Sequence, residues 1–235
     1  MGKDVIIACD FPGRGETLDF LGLFAGVRKP FVKIGMELFY AEGPDIVREI
    51  KRRGHRIFLD LKLHDIPNTV GKAMKVLSGL DVDMCNLHAA GGSEMMRTAL
   101  AGLTRPDGTH PLLIAVTQLT STSPEMLKNE LLIGSGMAET VIGYAKNAAA
   151  CALDGVVCSP LEAGVVHDAC GAGFLTVTPG VRFAGGDVGD QARVTTPERA
   201  RELGSDYIVV GRPITASDDP VAAYERCLKE FVSEV

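Results

Sequence analysis

The chain has 235 residues, 46% of them hydrophobic and 23% charged, which suits one globular domain with a full core and argues against a disordered chain. The formal net charge is −6 at pH 7, and without a basic patch such a surface repels the phosphates of nucleic acid. Apolar runs are all shorter than the ~20 residues of a membrane span, and no signal-peptide core is seen, so we expect a cytosolic protein that binds no membrane.

Short apolar runs typical of strands alternate along the chain with stretches of helical spacing. The predicted strands are Val5–Asp10, Phe31–Met36, Arg56–Lys62, Met84–His88, Leu112–Leu119, Gly155–Ser159, Phe174–Thr178 and Tyr207–Gly211. The predicted helices include Gly43–Arg53, Thr69–Gly79, Gly92–Leu103, Ala138–Ala152, Pro197–Leu203 and Pro220–Val232. This alternation implies parallel strands joined by crossover helices. It predicts an α/β fold, a (β/α)8 TIM barrel with residues 1–235 as a single domain; a doubly wound open sheet is the alternative.

Functional residues of a barrel lie at the C-terminal ends of its strands and in the loops that follow. Polar residues end or follow the predicted strands at Asp10, Lys33, Asp60, Lys62, His88 and Thr120. Since a buried charge without a partner is costly, these charges at the ends of apolar strands indicate a site. The longest irregular segments are predicted at Ser121–Gly136 and at Pro179–Arg193, and the glycine-rich second segment is interpreted as a lid.

The most informative segment runs from Phe58 to Thr69 and reads Phe-Leu-Asp-Leu-Lys-Leu-His-Asp-Ile-Pro-Asn-Thr. Side chains alternate along a strand, so the leucines are expected to face the helices while Asp60 and Lys62 face the barrel mouth. Asp65 lies beyond the strand, in the loop. The alternative is an ion-pair network that only holds the strand ends together, although a buried ion pair is weak evidence of stabilisation.

The string Asp-x-Lys-x-x-Asp-Ile-Pro-Asn-Thr resembles the signature of orotidine 5′-phosphate decarboxylases. Further blocks resemble the family in the same order: Ala8-Cys9-Asp10, Val32-Lys33-Ile34-Gly35, Leu87-His88-Ala89, Val116-Thr117-Gln118-Leu119-Thr120-Ser121, Thr178-Pro179-Gly180-Val181-Arg182 and Val210-Gly211-Arg212-Pro213-Ile214. The core Asp-x-Lys-x-x-Asp alone also resembles sugar-phosphate decarboxylases and aldolase-like synthases of the same barrel group. The Ile-Pro-Asn-Thr extension and the other blocks make the resemblance more specific.

The resemblance implies cofactor-free decarboxylation of orotidine 5′-phosphate to uridine 5′-phosphate (UMP) and CO2, a step of de novo pyrimidine synthesis. The catalytic residues it implies are Lys33, Asp60, Lys62 and Asp65. Lys62 is expected to protonate C6 of the pyrimidine, and Asp60 to lie against the substrate carboxylate. Asp65 is expected to come from the partner subunit of a homodimer, together with Ile66 and Thr69.

The resemblance also implies the remaining substrate contacts. Asp10 and Lys33 are expected to hold ribose hydroxyls, and Thr120 to meet the base. The phosphate is expected to be bound by Arg182, Gln191, Gly211 and Arg212, with Pro179 also at the substrate. Barrels often bind phosphate with the loops after strands 7 and 8, and glycines and arginines in these loops suit that role independently of the family.

No histidine or acidic cluster has metal-ligand spacing, and no Walker or Gly-x-Gly-x-x-Gly motif occurs, so we predict neither a metal nor a nucleotide cofactor. The six cysteines form no Cys-x-x-Cys pair and are expected to be buried and reduced. Two alternative functions stay open. One is another barrel lyase acting on a sugar phosphate, such as 3-keto-gulonate-6-phosphate decarboxylase or a hexulose-phosphate synthase. The other is an inactive barrel serving as a scaffold.

Overall fold

The computed structural model describes residues 3–184 and 195–232. Eight parallel strands form a closed barrel in sequence order, with the last strand paired to the first. The strands are β1 (Asp4–Ala8), β2 (Phe31–Ile34), β3 (Arg56–Leu63), β4 (Met84–His88), β5 (Leu112–Val116), β6 (Gly155–Val157), β7 (Leu175–Thr178) and β8 (Tyr207–Val210). The predicted (β/α)8 TIM barrel is therefore confirmed.

Helices follow the strands and surround the barrel. They are α1 (Arg14–Gly22), α2 (Met36–Glu42), α3 (Pro44–Arg52), α4 (Pro67–Ser78), α5 (Gly92–Leu103), α6 (Pro124–Asn129), α7 (Met137–Ala150), α8 (Ala163–Cys170), α9 (Pro197–Glu202), α10 (Arg212–Thr215) and α11 (Pro220–Val232). Helix α6 lies inside a segment that the sequence predicts to be irregular. Its start is typical of a helix N-terminus. The Ser123 side chain caps the helix by accepting a hydrogen bond from the Met126 N–H, and Pro124 occupies the first helical position.

Five of the strands, β1, β2, β5, β6 and β8, end earlier than the sequence predicts. β1 ends at Ala8 and β5 ends at Val116, so Asp10 and Thr120 lie in the loops just beyond them. Backbone pairing continues by one residue in each case, from Cys9 N–H to the carbonyl of Lys33 and from Thr117 N–H to that of Val157. Both polar residues therefore lie at the barrel mouth, above the paired part of the strands.

The core has two layers, set by the alternation of side chains along each strand. An outer layer packs between barrel and helices and includes Val5, Ile7, Leu59 and Leu61. An inner layer fills the barrel with Ile6, Phe31, Phe58, Met84, Ile114, Val177 and Tyr207 among others. This inner layer fills the barrel, and Phe58 and Val177 also line a cavity at its mouth.

All six cysteines are free thiols, and five of them are buried while Cys170 is partly exposed. The expectation of buried thiols is therefore confirmed for five of the six, with Cys170 as the exception. Within residues 3–184 and 195–232, none of the helices has both the length and the apolar character required to cross a bilayer.

Candidate active site

Four charged side chains of alternating sign form a chain across the barrel mouth. The Lys33 ammonium lies 2.8 Å from Asp10 Oδ1 and 3.4 Å from Asp60 Oδ2. The other oxygen of that carboxylate, Asp60 Oδ1, lies 2.7 Å from Lys62 Nζ. The structure thus brings together four of the residues selected from the sequence, and we call this set the charge array.

The two central members of the charge array are buried, with side-chain exposures of 11% for Lys33 and 9% for Asp60. Burial alone raises the pKa of Asp60, but Lys33 and Lys62 outweigh it and the pKa is lowered from its ordinary value. Burial alone lowers the pKa of Lys33, but Asp60 and Asp10 outweigh it and the pKa is raised. Both groups therefore stay ionised at neutral pH.

β3 is irregular where it carries the array. Between the pairs Leu59↔Cys85 and Leu63↔Leu87, three residues of β3 lie opposite a single residue of β4. Lys62 adopts a left-handed backbone conformation with φ 52°, which costs an ordinary residue about 1–2 kcal/mol. Asp60 and Lys62 nevertheless line the same cavity, as the alternation along the strand predicts.

Two adjoining cavities open at the mouth. The first has a volume of about 220 Å³ and an apolar wall of Phe58, Val116, Leu119, Val157, Val177 and Val209, with polar groups from Lys33, Asp60, Lys62, Gln118, Thr120 and Ser121. The second has a volume of about 380 Å³ and is lined by Ala8, Asp10, Lys33, Pro179, Gly180, Val209, Gly211, Thr215 and two arginines, Arg182 and Arg212. Lys33, Pro179 and Val209 line both, so the cavities meet at these residues.

The lining of the second cavity carries three basic side chains, Lys33, Arg182 and Arg212, against one acidic side chain, Asp10. Arg212 starts α10 directly after Gly211, and Arg182 follows β7. The chain turns through Gly180, whose φ of 82° suits glycine, and the backbone of Arg182 donates to the carbonyl of Thr195. Two guanidinium groups facing one compartment suit a phosphate group.

One predicted phosphate contact, Gln191, lies outside the described residues. So does most of the predicted lid at Pro179–Arg193, since residues 185–194 are not described. Of its first residues, Pro179, Gly180 and Arg182 line the second cavity.

The residues predicted to cross a dimer interface lie apart from both cavities in the single chain. Asp65 is exposed, and its Oδ1 accepts a hydrogen bond from the Ile66 N–H at 2.6 Å. Ile66 is 65% exposed and Thr69, in the first turn of α4, is also exposed. Within the described parts of the chain, Asp65 makes no ion pair and lines neither cavity.

Several polar residues of the site were not selected from the sequence, among them Ser121 in the first cavity and Thr215 in the second. Gln118 lines the first cavity, and its place two positions before Thr120 was an available signal. Asn86 lies behind the array in an otherwise apolar part of β4, where it hydrogen-bonds to Asp60 and to the backbone of Lys62. A lone polar residue among apolar strand neighbours was its only sequence signal.

His88 lies at the end of β4, half-buried, with its ring 5.6 Å from that of His64. Burial lowers the pKa of His88, and the neighbouring His64 and Lys62 lower it further against the opposing effect of Asp60. The ring is therefore neutral at pH 7. No cluster of three histidine, cysteine or acidic residues suited to a metal ion occurs among the described residues.

Fold and site together define a class: a (β/α)8-barrel enzyme for a phosphorylated ligand, with an ionised lysine–aspartate array beside an apolar pocket. The comparison with protein families makes this more specific. The chain belongs to the orotidine 5′-phosphate decarboxylase / HUMPS family, whose family model matches residues 3–227.

Individual relatives agree over nearly the whole chain. An orotidine 5′-phosphate decarboxylase of Bacillus cytotoxicus is 57% identical over 234 residues, which cover 98% of each protein. Among solved structures, an uncharacterized conserved protein from Geobacillus kaustophilus matches with a TM-score of 0.86 and 49% identity, covering 97% of this chain and 99% of that one. Orotidine 5′-phosphate decarboxylase from Lactobacillus acidophilus matches with a TM-score of 0.84 and 45% identity, at the same coverage.

Proposed function

We propose that this chain is an orotidine 5′-phosphate decarboxylase, a carboxy-lyase that converts orotidine 5′-phosphate to UMP and CO2 in pyrimidine biosynthesis. One observation carries the proposal. A small apolar cavity with Lys62 and Asp60 in its wall adjoins a larger cavity with two arginines. This arrangement matches a pyrimidine base at one end and a 5′-phosphate at the other.

The lining of the two cavities supports one arrangement of the substrate, which we propose. Its phosphate lies in the second cavity with Arg182, Arg212 and Gly211. Gln191 is proposed as a further phosphate contact. The ribose lies where the cavities meet, and its hydroxyls bind the Asp10–Lys33 pair. The base enters the apolar cavity, where the hydroxyl of Thr120 meets its polar edge and Pro179 covers it.

Lys62 supplies the chemistry at C6. When the bond between C6 and the carboxylate breaks, the electron pair stays on C6 and CO2 leaves. The ammonium of Lys62 stabilises that negative charge and then donates a proton to C6, giving UMP and a neutral amine that solvent reprotonates. Enzymes lower barriers by up to about 20 kcal/mol, and a carbanion without an adjacent electron sink requires most of this.

Asp60 contributes in two ways. Its carboxylate holds the Lys62 ammonium at 2.7 Å before substrate binds, so the charge is already in place when the carbanion forms. It also lies against the substrate carboxylate, whose repulsion is relieved when neutral CO2 forms. We assign the larger share to the fixed ammonium, because it acts on the charge that develops in the transition state.

We propose further that the enzyme is a homodimer with shared sites. Asp65 lies just beyond the array on an exposed segment, with a carboxylate that makes no ion pair within its own described chain. In a two-fold dimer, the partner's Asp65 then extends the alternation of charges beyond Lys62. The exposed side chains of Ile66 and Thr69 supply contacts across the same interface. The buried free thiols suit a reducing compartment, so the cytosol is the proposed location.

A comparison of substrates tests the proposed activity. Purified protein is mixed with orotidine 5′-phosphate or with 3-keto-gulonate 6-phosphate, each with and without excess chelator. We expect loss of the ultraviolet absorbance of orotidine 5′-phosphate, unaffected by chelator, and no turnover of the sugar phosphate. Turnover of the sugar phosphate alone would identify another barrel lyase. Turnover of neither substrate would identify an inactive scaffold.

A further inference from the structure

Asn86 is a buried amide in the middle of β4, and both polar ends of its side chain bind the charge array. It is 1% exposed and lines neither of the two cavities. Its Oδ1 accepts a hydrogen bond from the backbone N–H of Lys62 at 2.8 Å. Its Nδ2 donates to Asp60 Oδ1 at 2.7 Å.

The two partners of Asn86 determine how its amide is oriented. A backbone N–H needs an acceptor, and an ionised carboxylate needs a donor, so only one orientation satisfies both. Asparagine supplies both groups, a strong acceptor and a strong donor, from one short planar amide.

Asn86 also occupies a specific position in the sheet. It is the single residue of β4 that lies opposite residues 60–62 of β3, where regular pairing between the two strands is interrupted. Lys62 adopts its left-handed conformation in this interval. The amide of Asn86 thus replaces the missing ladder bond and supports the backbone that carries Lys62.

We propose that Asn86 is a positioning residue that sets the geometry of the Asp60–Lys62 pair; this inference rests on the proposed decarboxylase activity. Asp60 Oδ1 accepts a hydrogen bond from the Asn86 amide and also forms the ion pair with the Lys62 ammonium. With the amide in place, the carboxylate cannot rotate without losing a buried hydrogen bond. The ammonium is consequently held at one point of the apolar cavity, where C6 of the substrate is placed.

The substitution Asn86→Asp tests this with almost no change in shape. The new carboxylate still accepts from Lys62 N–H but faces Asp60 with an oxygen in place of a donor. Charged and titratable groups around Asp60 are Lys33 of β2, Lys62 of β3 and His88 of β4, with Asp10 bound to Lys33. Two carboxylates in this contact share a proton, so a new ionisation enters the pH profile of kcat.

We expect kcat of Asn86→Asp to fall by about 10²-fold, the loss typical of one misplaced electrostatic group, while KM and the affinity for UMP stay within about threefold. Asn147→Asp is the matched control, because it makes the same change at a partly buried asparagine. Asn147 lies in α7, and its Oδ1 accepts a hydrogen bond from the hydroxyl of Ser93 in α5. This control is expected to keep the kcat and the pH profile of the wild type.

Asn86→Ala removes both hydrogen bonds without adding charge. It is the second test variant, used if Asn86→Asp does not fold. It is expected to lower kcat with little change in UMP affinity. Wild-type kcat in a folded Asn86 variant would overturn the inference. Equal losses of kcat and UMP affinity, or unfolding of both Asn86 variants, would overturn it as well, since Asn86 would then serve the fold. Inactivity of the wild type would instead reject the proposed function.

Discussion

Lys62 Nζ lies 2.7 Å from Asp60 Oδ1, and the two residues are two positions apart on β3. A left-handed backbone at Lys62, with φ 52°, accompanies this contact. Strain of this kind persists only where the surrounding structure compensates for it, and it is concentrated at functional sites. The contact therefore supports a functional interpretation of the pair over one in which it only ties strand ends together.

Arg212 is expected to act on the phosphate alone. Arg212→Ala should raise KM for orotidine 5′-phosphate at least about tenfold, while barely changing the much slower reaction of orotidine, which lacks the phosphate. Steady-state kinetics on both substrates measure this. The matched control is Arg48→Ala, at an exposed arginine that pairs with Asp45 on α3. Equal losses on both substrates would show that Arg212 acts on the chemistry or on the fold.

The acidic limb of the pH profile of kcat/KM is expected to reflect protonation of the substrate phosphate. The pKa of Asp60 is lowered from its ordinary value of 3.8, so its carboxylate is ionised throughout the range above pH 3.8. The stability that this ionised carboxylate adds is complete above pH 3.8 and is lost as the pH falls through the lowered pKa. A phosphate monoester loses its second proton at about pH 6, so kcat/KM should fall below that pH. In the bound complex kcat should stay flat there. A kcat that falls near pH 6 would instead implicate an enzyme group such as His88.

Gly35 is expected to be required for the Asp10–Lys33 pair. A Cβ at this position would lie 3.0 Å from Asp10 Oδ1 and 3.0 Å from Lys33 Nζ. Gly35→Ala should therefore displace the pair and lower kcat/KM, by about tenfold if the shift is a few tenths of an ångström. Gly143→Ala, in α7 with open space around it, is the control. Unchanged kcat/KM in Gly35→Ala would contradict the requirement for glycine at this position.

Subunit mixing tests the shared site. Lys62→Ala and Asp65→Ala homodimers should each be nearly inactive. When subunits exchange freely, half of the dimers become mixed, and each mixed dimer has one site with both lesions and one with neither. Activity should return to about a quarter of the wild-type level. If exchange is verified and no activity returns, Asp65 acts in the site of its own chain.

The barrel could be predicted because its signals are local and repeated. Eight apolar runs separated by helical stretches indicate parallel strands, and alternation along β3 correctly placed Asp60 and Lys62 at the mouth. Helix α6 was missed because six residues are too few for a clear helical period.

Other features depend on contacts that a sequence pattern does not contain. Left-handed backbone is normally signalled by glycine or asparagine, so the conformation of Lys62 could not be predicted. Asn86 acquires its role only when β3 and β4 pair with an interruption between Leu59 and Leu63. The predicted place of Asp65 depends on a second chain, and its own chain leaves it exposed.

Lys62 is proposed to donate the proton when this chain decarboxylates orotidine 5′-phosphate. The most direct test is CO2 release from orotidine 5′-phosphate by the wild type and by Lys62→Ala, with circular dichroism to verify the fold. Wild type should release CO2, and Lys62→Ala should lose at least about 10²-fold in kcat, the usual contribution of a general acid. A folded Lys62→Ala variant that keeps more than about a tenth of wild-type kcat would contradict the claim.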